Sequence, residues 1–100
     1  MTDAFNRDAM RLSPLDNVAT VLRAVAPGEA VRLGGGEAVP AQDAIPLCHK
    51  LALRPIRAGE AVVKYGHPIG LATAAIEPGR HVHVHNMRSA RAAPPRAAAP

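Results

Sequence analysis

The sequence predicts a small, mostly antiparallel β domain, and three observations carry that prediction. A turn motif recurs at Ala26-Pro27-Gly28-Glu29-Ala30-Val31, Arg57-Ala58-Gly59-Glu60-Ala61-Val62 and Glu77-Pro78-Gly79-Arg80-His81-Val82. Pro or Ala followed by Gly suits a type II turn, because Pro fixes φ near −65° and Gly accepts positive φ. Each copy lies between runs rich in Val, Leu and Ile, which favour a pleated, half-buried strand. The third observation is Arg80-His81-Val82-His83-Val84-His85-Asn86, where apolar and polar residues alternate with the two-residue period of a strand.

Taken in order, residues 1–14 are polar and aperiodic, end in Ser13-Pro14 and are expected to form a disordered arm. The folded domain is expected over 15–88. Its strands are Asn17–Leu22, Ala30–Leu33, Lys50–Arg54, Ala61–Tyr65, Ile69–Thr73 and His81–His85, seven or so in all with the intervening pieces. Asp16 could cap a helix over Asp16–Arg23, but Val18, Thr20 and Val21 favour strand. Gly34-Gly35-Gly36 reads as a hairpin tip; without a following Lys-Ser/Thr it is no phosphate cradle. Val39-Pro40 and Ile45-Pro46 are extended or loop positions. Gly66-His67-Pro68 breaks the chain between two strands. Residues 89–100, built from Ala, Pro and Arg with one Ser, are expected to be a disordered tail.

Composition excludes several functions. One cysteine allows no internal disulfide and suits a reducing compartment, so the cytoplasm is expected. Asp3, Arg7 and Asp8 interrupt the N-terminus, which has no apolar core of a secretory signal. No apolar run approaches the roughly 20 residues of a membrane span. The net charge of +4 is spread along the chain, with Arg88, Arg91 and Arg96 toward the C-terminus. Phe5 and Tyr65 are the only aromatics, too few for a base-stacking platform, so nucleic acid is not expected as a partner. A core of Val, Leu, Ile and Ala alone is thin, which makes a permanent partner, or self-association of the isolated chain, the expected state.

The chemistry concentrates in the histidine run. On an extended strand His81, His83 and His85 share one face and Val82 and Val84 the other. Successive histidines then stand about 6.6 Å apart and the outer two about 13 Å, at a rise of about 3.3 Å per residue. Two adjacent imidazoles can reach one metal ion and three cannot, so a metal here needs a ligand from elsewhere. Asn86, at the strand end, is a candidate to bond a substrate hydroxyl. Lys64 is a candidate partner for a substrate carboxylate, against the plain alternative of a solvated strand residue; Tyr65 reads as packing. His49 and His67 are open candidates. Cys48 reads as a small packed residue, because adjacent side chains on a strand point apart. Glu29, Glu60 and Glu77 fall in the turns, and no carboxylate pair has general acid/base spacing.

From Ile45 to Asn86 the chain resembles the SAF domain at the front of the altronate and galactarate dehydratase family. The resemblance rests on His49-Lys50-Leu51-Ala52-Leu53-Arg54, Gly59-Glu60-Ala61-Val62-Val63-Lys64-Tyr65-Gly66, Ile69-Gly70-Leu71-Ala72-Thr73 and His81-Val82-His83-Val84-His85-Asn86, with Asp16-Asn17-Val18-Ala19 as an opening strand. It implies a β-clip fold of short, folded-over strands with Pro-Gly turns. It also implies a much larger catalytic region that removes water from a sugar acid with a divalent metal, usually iron; a related pair of subunits eliminates sulfite from sulfolactate. The expected protein is therefore the small, stand-alone SAF subunit of such a hydro-lyase, inactive alone, docked on a large dehydratase subunit. His83, His85, Asn86 and Lys64 are its expected catalytic contribution, and His81, His83 and His85 its expected metal ligands. The competing reading is a non-catalytic SAF module that binds a carbohydrate acid or a protein.

Overall fold

A computed structural model describes residues 7–89 of the chain. Nine short strands are found among the described residues, and no helix. They are β1 (Ala9–Met10), β2 (Val18–Val21), β3 (Ala30–Gly34), β4 (Glu37–Pro40), β5 (Lys50–Ala52), β6 (Ala61–Lys64), β7 (His67–Ala72), β8 (His81–Val82) and β9 (Met87–Ser89). All pairings are antiparallel: one sheet runs β1-β2-β5-β8, a hairpin joins β3 and β4, and a third sheet runs β6-β7-β9. The mostly β prediction holds, and within Asp16–Arg23 the strand Val18–Val21 forms rather than a helix.

The backbone is an internal duplication. Residues 21–50 and 52–81 follow the same course at an offset of 52 − 21 = 31 positions. Val25 bridges Ile45 in the first copy, and Ile56 bridges Ile76 in the second. Each copy carries two turns of one design. The third turn residue donates its N–H to a strand-end carbonyl, and that strand-end residue donates back to the fourth. Gly28 bonds Ala41 and Ala41 bonds Glu29; Gly59 bonds Ala72 and Ala72 bonds Glu60; Gly79 bonds Ala52 and Ala52 bonds Arg80. The fourth case is Ile45–Lys50: Cys48 donates to Val21 at 3.0 Å and Val21 to His49 at 2.9 Å. Three of these turns are legible in sequence. The fourth is hidden because Cys48, at φ 73°, stands where the others place Gly28, Gly59 and Gly79 at φ 90°, 88° and 88°.

The duplication explains the two polar anchors at the start of the fold. Asp8 donates its N–H to the Arg32 carbonyl and accepts the Arg32 N–H on Oδ2; Asn17 does the same with Val63, 31 positions on from Arg32. Strand alternation then feeds two cores. Ala19, Val21 and Leu51 join Val25, Val31 and Ile45 on one side, while Val18, Ala52 and Val82 join Ile56, Val62 and Ile76 on the other.

Two boundaries differ from the sequence reading. Over residues 7–14 the expected arm is folded: Asp8 and Ala9 are buried and β1 pairs with β2, because Asp8 supplies the anchor that a hydropathy reading scores as loop. Ser89, assigned to the tail, is the last residue of β9. The remainder of both expected segments, 1–6 and 90–100, lies outside the described residues.

Candidate metal centre

The histidine strand is shorter than alternation predicts. β8 ends at Val82, because its partner β5 offers only Lys50 opposite Val82 and Leu51 opposite His81. Past that point Asn86 folds the chain into a turn. Its Oδ1 accepts the His83 N–H at 3.0 Å, its Nδ2 donates to the His81 carbonyl at 2.9 Å, and its own N–H reaches the His83 carbonyl at 3.1 Å. An Asn amide mimics a missing strand partner in this way. Asn86 is thus committed to shaping the loop rather than held open at a strand end. Val84 does not join a buried face but is 79% exposed at the loop tip.

The turn changes which imidazoles meet. His83 curls back to stack on His49, with ring centroids 4.1 Å apart, and His49 Nδ1 lies 2.8 Å from His81 Nε2. One donor nitrogen each from His49, His81 and His83 lie within 4.8 Å of one another. His85 leans on His81 at 5.1 Å but is exposed and outside this trio; so is His67, at the start of β7. The donor that a metal site here would need from another element is offered by His49, delivered by the turn that lacks its glycine. The sequence signal that could have found it was the register of the repeat, which aligns His49-Lys50 with Arg80-His81.

The surroundings hold His81 in place and disfavour the charged forms of His81 and His83. Asp43 accepts the backbone N–H of His81 on Oδ2 and the Arg80 guanidinium on Oδ1, both at 2.9 Å. Burial, then the charges of His85, His49 and His83, depress the His81 pKa below its ordinary value, against a smaller opposing pull from Asp43. His83 is depressed by desolvation and by His49, Lys50 and His85. A neutral imidazole is the form that coordinates a metal. Ligand nitrogens of a tetrahedral site with bonds of about 2.0 Å stand roughly 3.3 Å apart, so the trio fits a first-row divalent ion with small side-chain adjustments.

Lys64 ends β6 with its Nζ 5.1 Å from the centroid of the Tyr65 ring. Tyr65 takes φ 55°, and its hydroxyl lies 3.5 Å from Thr20 Oγ1. The Asp16 carboxylate holds that bend by accepting the Gly66 N–H at 2.7 Å and those of Leu12 and Ser13 at 3.2 Å. These backbone donors keep the Asp16 carboxyl below its ordinary pKa in spite of burial. Cys48 is exposed, which corrects the expectation of a packed residue: a positive-φ turn tip projects its side chain outward.

The family model of the altronate/galactarate dehydratase SAF domain matches residues 7–90. Altronate dehydratases of Bacillus subtilis and Escherichia coli are 38% and 42% identical over 80 residues, which is 80% of this chain and 16% of each of theirs. The (2R)-sulfolactate sulfo-lyase subunit alpha of Chromohalobacter salexigens is 48% identical over 50 residues, half of this chain and 53% of that subunit. The chain thus spans about a sixth of the length of the dehydratases it matches. No helix among the described residues is long and apolar enough to cross a membrane.

Proposed function

The chain belongs to the altronate/galactarate dehydratase SAF-domain family, and from that premise we propose that it is the small subunit of a metal-dependent hydro-lyase acting on a hydroxylated acid. It docks on a larger catalytic subunit and brings its imidazole loop to the shared site. The observation that carries this reading is the convergence of His49 from the Ile45–Lys50 turn with His81 from β8 and His83 from the turn that follows it. A further point supports it. One group of relatives is named as a subunit, and the match covers over half of the Chromohalobacter subunit alpha's own length.

In this reading His49, His81 and His83 hold a divalent ion, expected to be iron, which would polarise the departing hydroxyl and offset the charge of an enediolate. His85, beside His81, is placed to exchange a proton with the leaving group or solvent. Asn86 sets the loop on which His83 and His85 are presented, and Lys64 faces the acid group of the substrate. The exposed free thiol of Cys48 suits the reducing cytoplasm.

The test is co-purification of this chain with a large dehydratase-type subunit from its host, followed by turnover assays with altronate, galactarate and sulfolactate. The complex is expected to be active and the isolated chain inactive. The His49→Ala and His83→Ala complexes should bind metal at least about tenfold more weakly. Turnover by the isolated chain, or unchanged metal content and kcat in both variants, would refute the proposal.

A further inference from the structure

The sequence contains two lysines, Lys50 and Lys64, and the fold brings them together. Lys50 stands directly across from Thr20 in the β2-β5 pair. The Thr20 hydroxyl meets that of Tyr65, and the Lys64 ammonium lies over the Tyr65 ring. Both lysines are partly buried, and desolvation first, then the charge of Lys64, disfavour the ammonium of Lys50. Lys50 also stands opposite Val82 in the β5-β8 pair, one residue before His83.

Two like charges held in partial shelter would be favoured by an anion between them. No protein carboxylate fills that role among the described residues. Every ion pair there uses an arginine: Arg11 with Glu37, Arg23 with Asp8 and Glu29, Arg32 with Asp8, Arg80 with Asp43. Asp16 is spent on backbone N–H groups, and Glu60 accepts the Arg57 N–H at 2.7 Å. The arginines thus serve structure and the lysines are left over.

We infer that Lys50 and Lys64, with the hydroxyls of Thr20 and Tyr65, form an oxyanion subsite that grips the carboxylate or sulfonate of a small hydroxy acid beside the imidazole trio. The two ammoniums supply charge, the two hydroxyls supply donors, and His83 marks the side toward which the rest of the acid extends. This deepens the functional reading above and rests on it for the identity of the ligand, but the subsite itself needs no metal and no partner chain. The Tyr65 backbone supports the assignment. An aromatic residue at φ 55° is strained, and strain of this kind persists where the surrounding structure enforces a particular placement.

The experiment is a titration of the full-length, chelator-treated chain with lysine labelled in its side-chain carbons, read by carbon–proton correlation NMR. Only two lysine ε signals exist, and Lys50→Gln and Lys64→Gln assign them. The probes are tartrate as carboxylate, isethionate as sulfonate and erythritol as the uncharged control, at constant ionic strength. Both lysine signals should move along one saturation curve with tartrate, isethionate or both, and stay still with erythritol; the stronger acid identifies the head group. Followed through the Tyr65 ring signals, Lys50→Gln/Lys64→Gln should weaken binding at least about tenfold, the loss of two charge-assisted contacts, while Lys50→Arg should retain it. A normal melting temperature for each variant excludes misfolding. Independent or unsaturable lysine shifts, or undiminished affinity in the double variant, would overturn the subsite. His49→Ala separates the two readings: lost metal affinity with intact tartrate binding leaves the subsite standing whatever becomes of the hydro-lyase proposal. Loss of tartrate binding in His83→Ala but not in the double variant would transfer the anion to the imidazoles and refute the assignment.

Discussion

Residues 21–50 and 52–81 trace the same backbone, yet they differ at the positions that border the candidate site. Where the second copy turns on Gly79, the first uses Cys48, next to His49 and Lys50. Where the first copy turns on Gly34 at φ 89°, the second uses Tyr65, next to Lys64. Cys48 and Tyr65 are the only non-glycine residues at positive φ among the described residues. Each copy therefore departs from the relaxed solution once, and both departures flank the imidazoles and lysines. In the proposed function the shared parts are scaffold and the mismatches border the chemistry. A duplicated chain carries its own internal reference for telling the two apart.

The sharpest way to break this equivalence is at the glycines. A Cβ on Gly79 would sit 2.1 Å from the Pro40 carbonyl oxygen, whereas one on Gly28 or Gly59 would meet nothing within 4 Å. Gly79→Ala should cost about 3 kcal/mol, from left-handed strain plus overpacking, and Gly28→Ala or Gly59→Ala only about 1 kcal/mol. Urea denaturation of the three variants checks this. Equal losses would mean that the copies approach β4 alike.

The paired anchors come next. Asp8 and Asn17 make the same backbone contacts, but Asp8 also meets Arg32 Nε at 2.9 Å and Arg23 Nε at 3.1 Å. These partners, Arg32 first, hold the Asp8 carboxyl well below the usual carboxylate range against the opposing effect of burial. Asp8→Asn should cost about 2 kcal/mol at neutral pH, less than a fully buried pair because both arginines are half-exposed. The lowered pKa sets the sign of the pH effect. The stabilisation is present above about pH 4, where the unfolded carboxyl is ionised, and is lost as the pH falls below it. Melting curves from pH 6 to pH 2 should be shallower for Asp8→Asn than for the parent, and Asn17→Ala should leave the slope unchanged.

The smallest effect is a gain. Cys48→Gly restores the residue that the other three turns use and should raise stability by about 0.5–1 kcal/mol, left-handed relief exceeding the added chain entropy. Thermal melting under reducing conditions measures it, and a loss would show that Cys48 is held by more than its turn.

The strands and Pro-Gly turns were legible because they obey local rules: period-two burial, Pro before Gly, β-branched runs. Three features were not. β1 and β9 are too short for periodicity to register, and both gain their order from pairing, β1 with β2 and β9 with β7. The end of β8 depends on how far β5 reaches, so alternation alone carried His85 and Val84 onto a strand that stops at Val82. His49 was visible only as an isolated histidine, because its meeting with His81 spans 32 positions and follows from the hidden fourth turn. The requirement for a ligand beyond the 81–85 run was legible, since strand geometry alone imposes it.

Having two lysines also sets how the molecule meets reagents. Apart from the amino terminus, Lys50 and Lys64 are the primary amines of this sequence, and desolvation together with the charge of Lys64 favours the neutral amine of Lys50. Dyes, biotin esters and amine-coupled sensor surfaces that take a lysine rather than the amino terminus therefore attach at the proposed anion subsite. A chain immobilised in that way presents its back to the solution. Binding measured on such a surface would report the loss of the subsite rather than its affinity, while the exposed thiol of Cys48 offers a single alternative point of attachment.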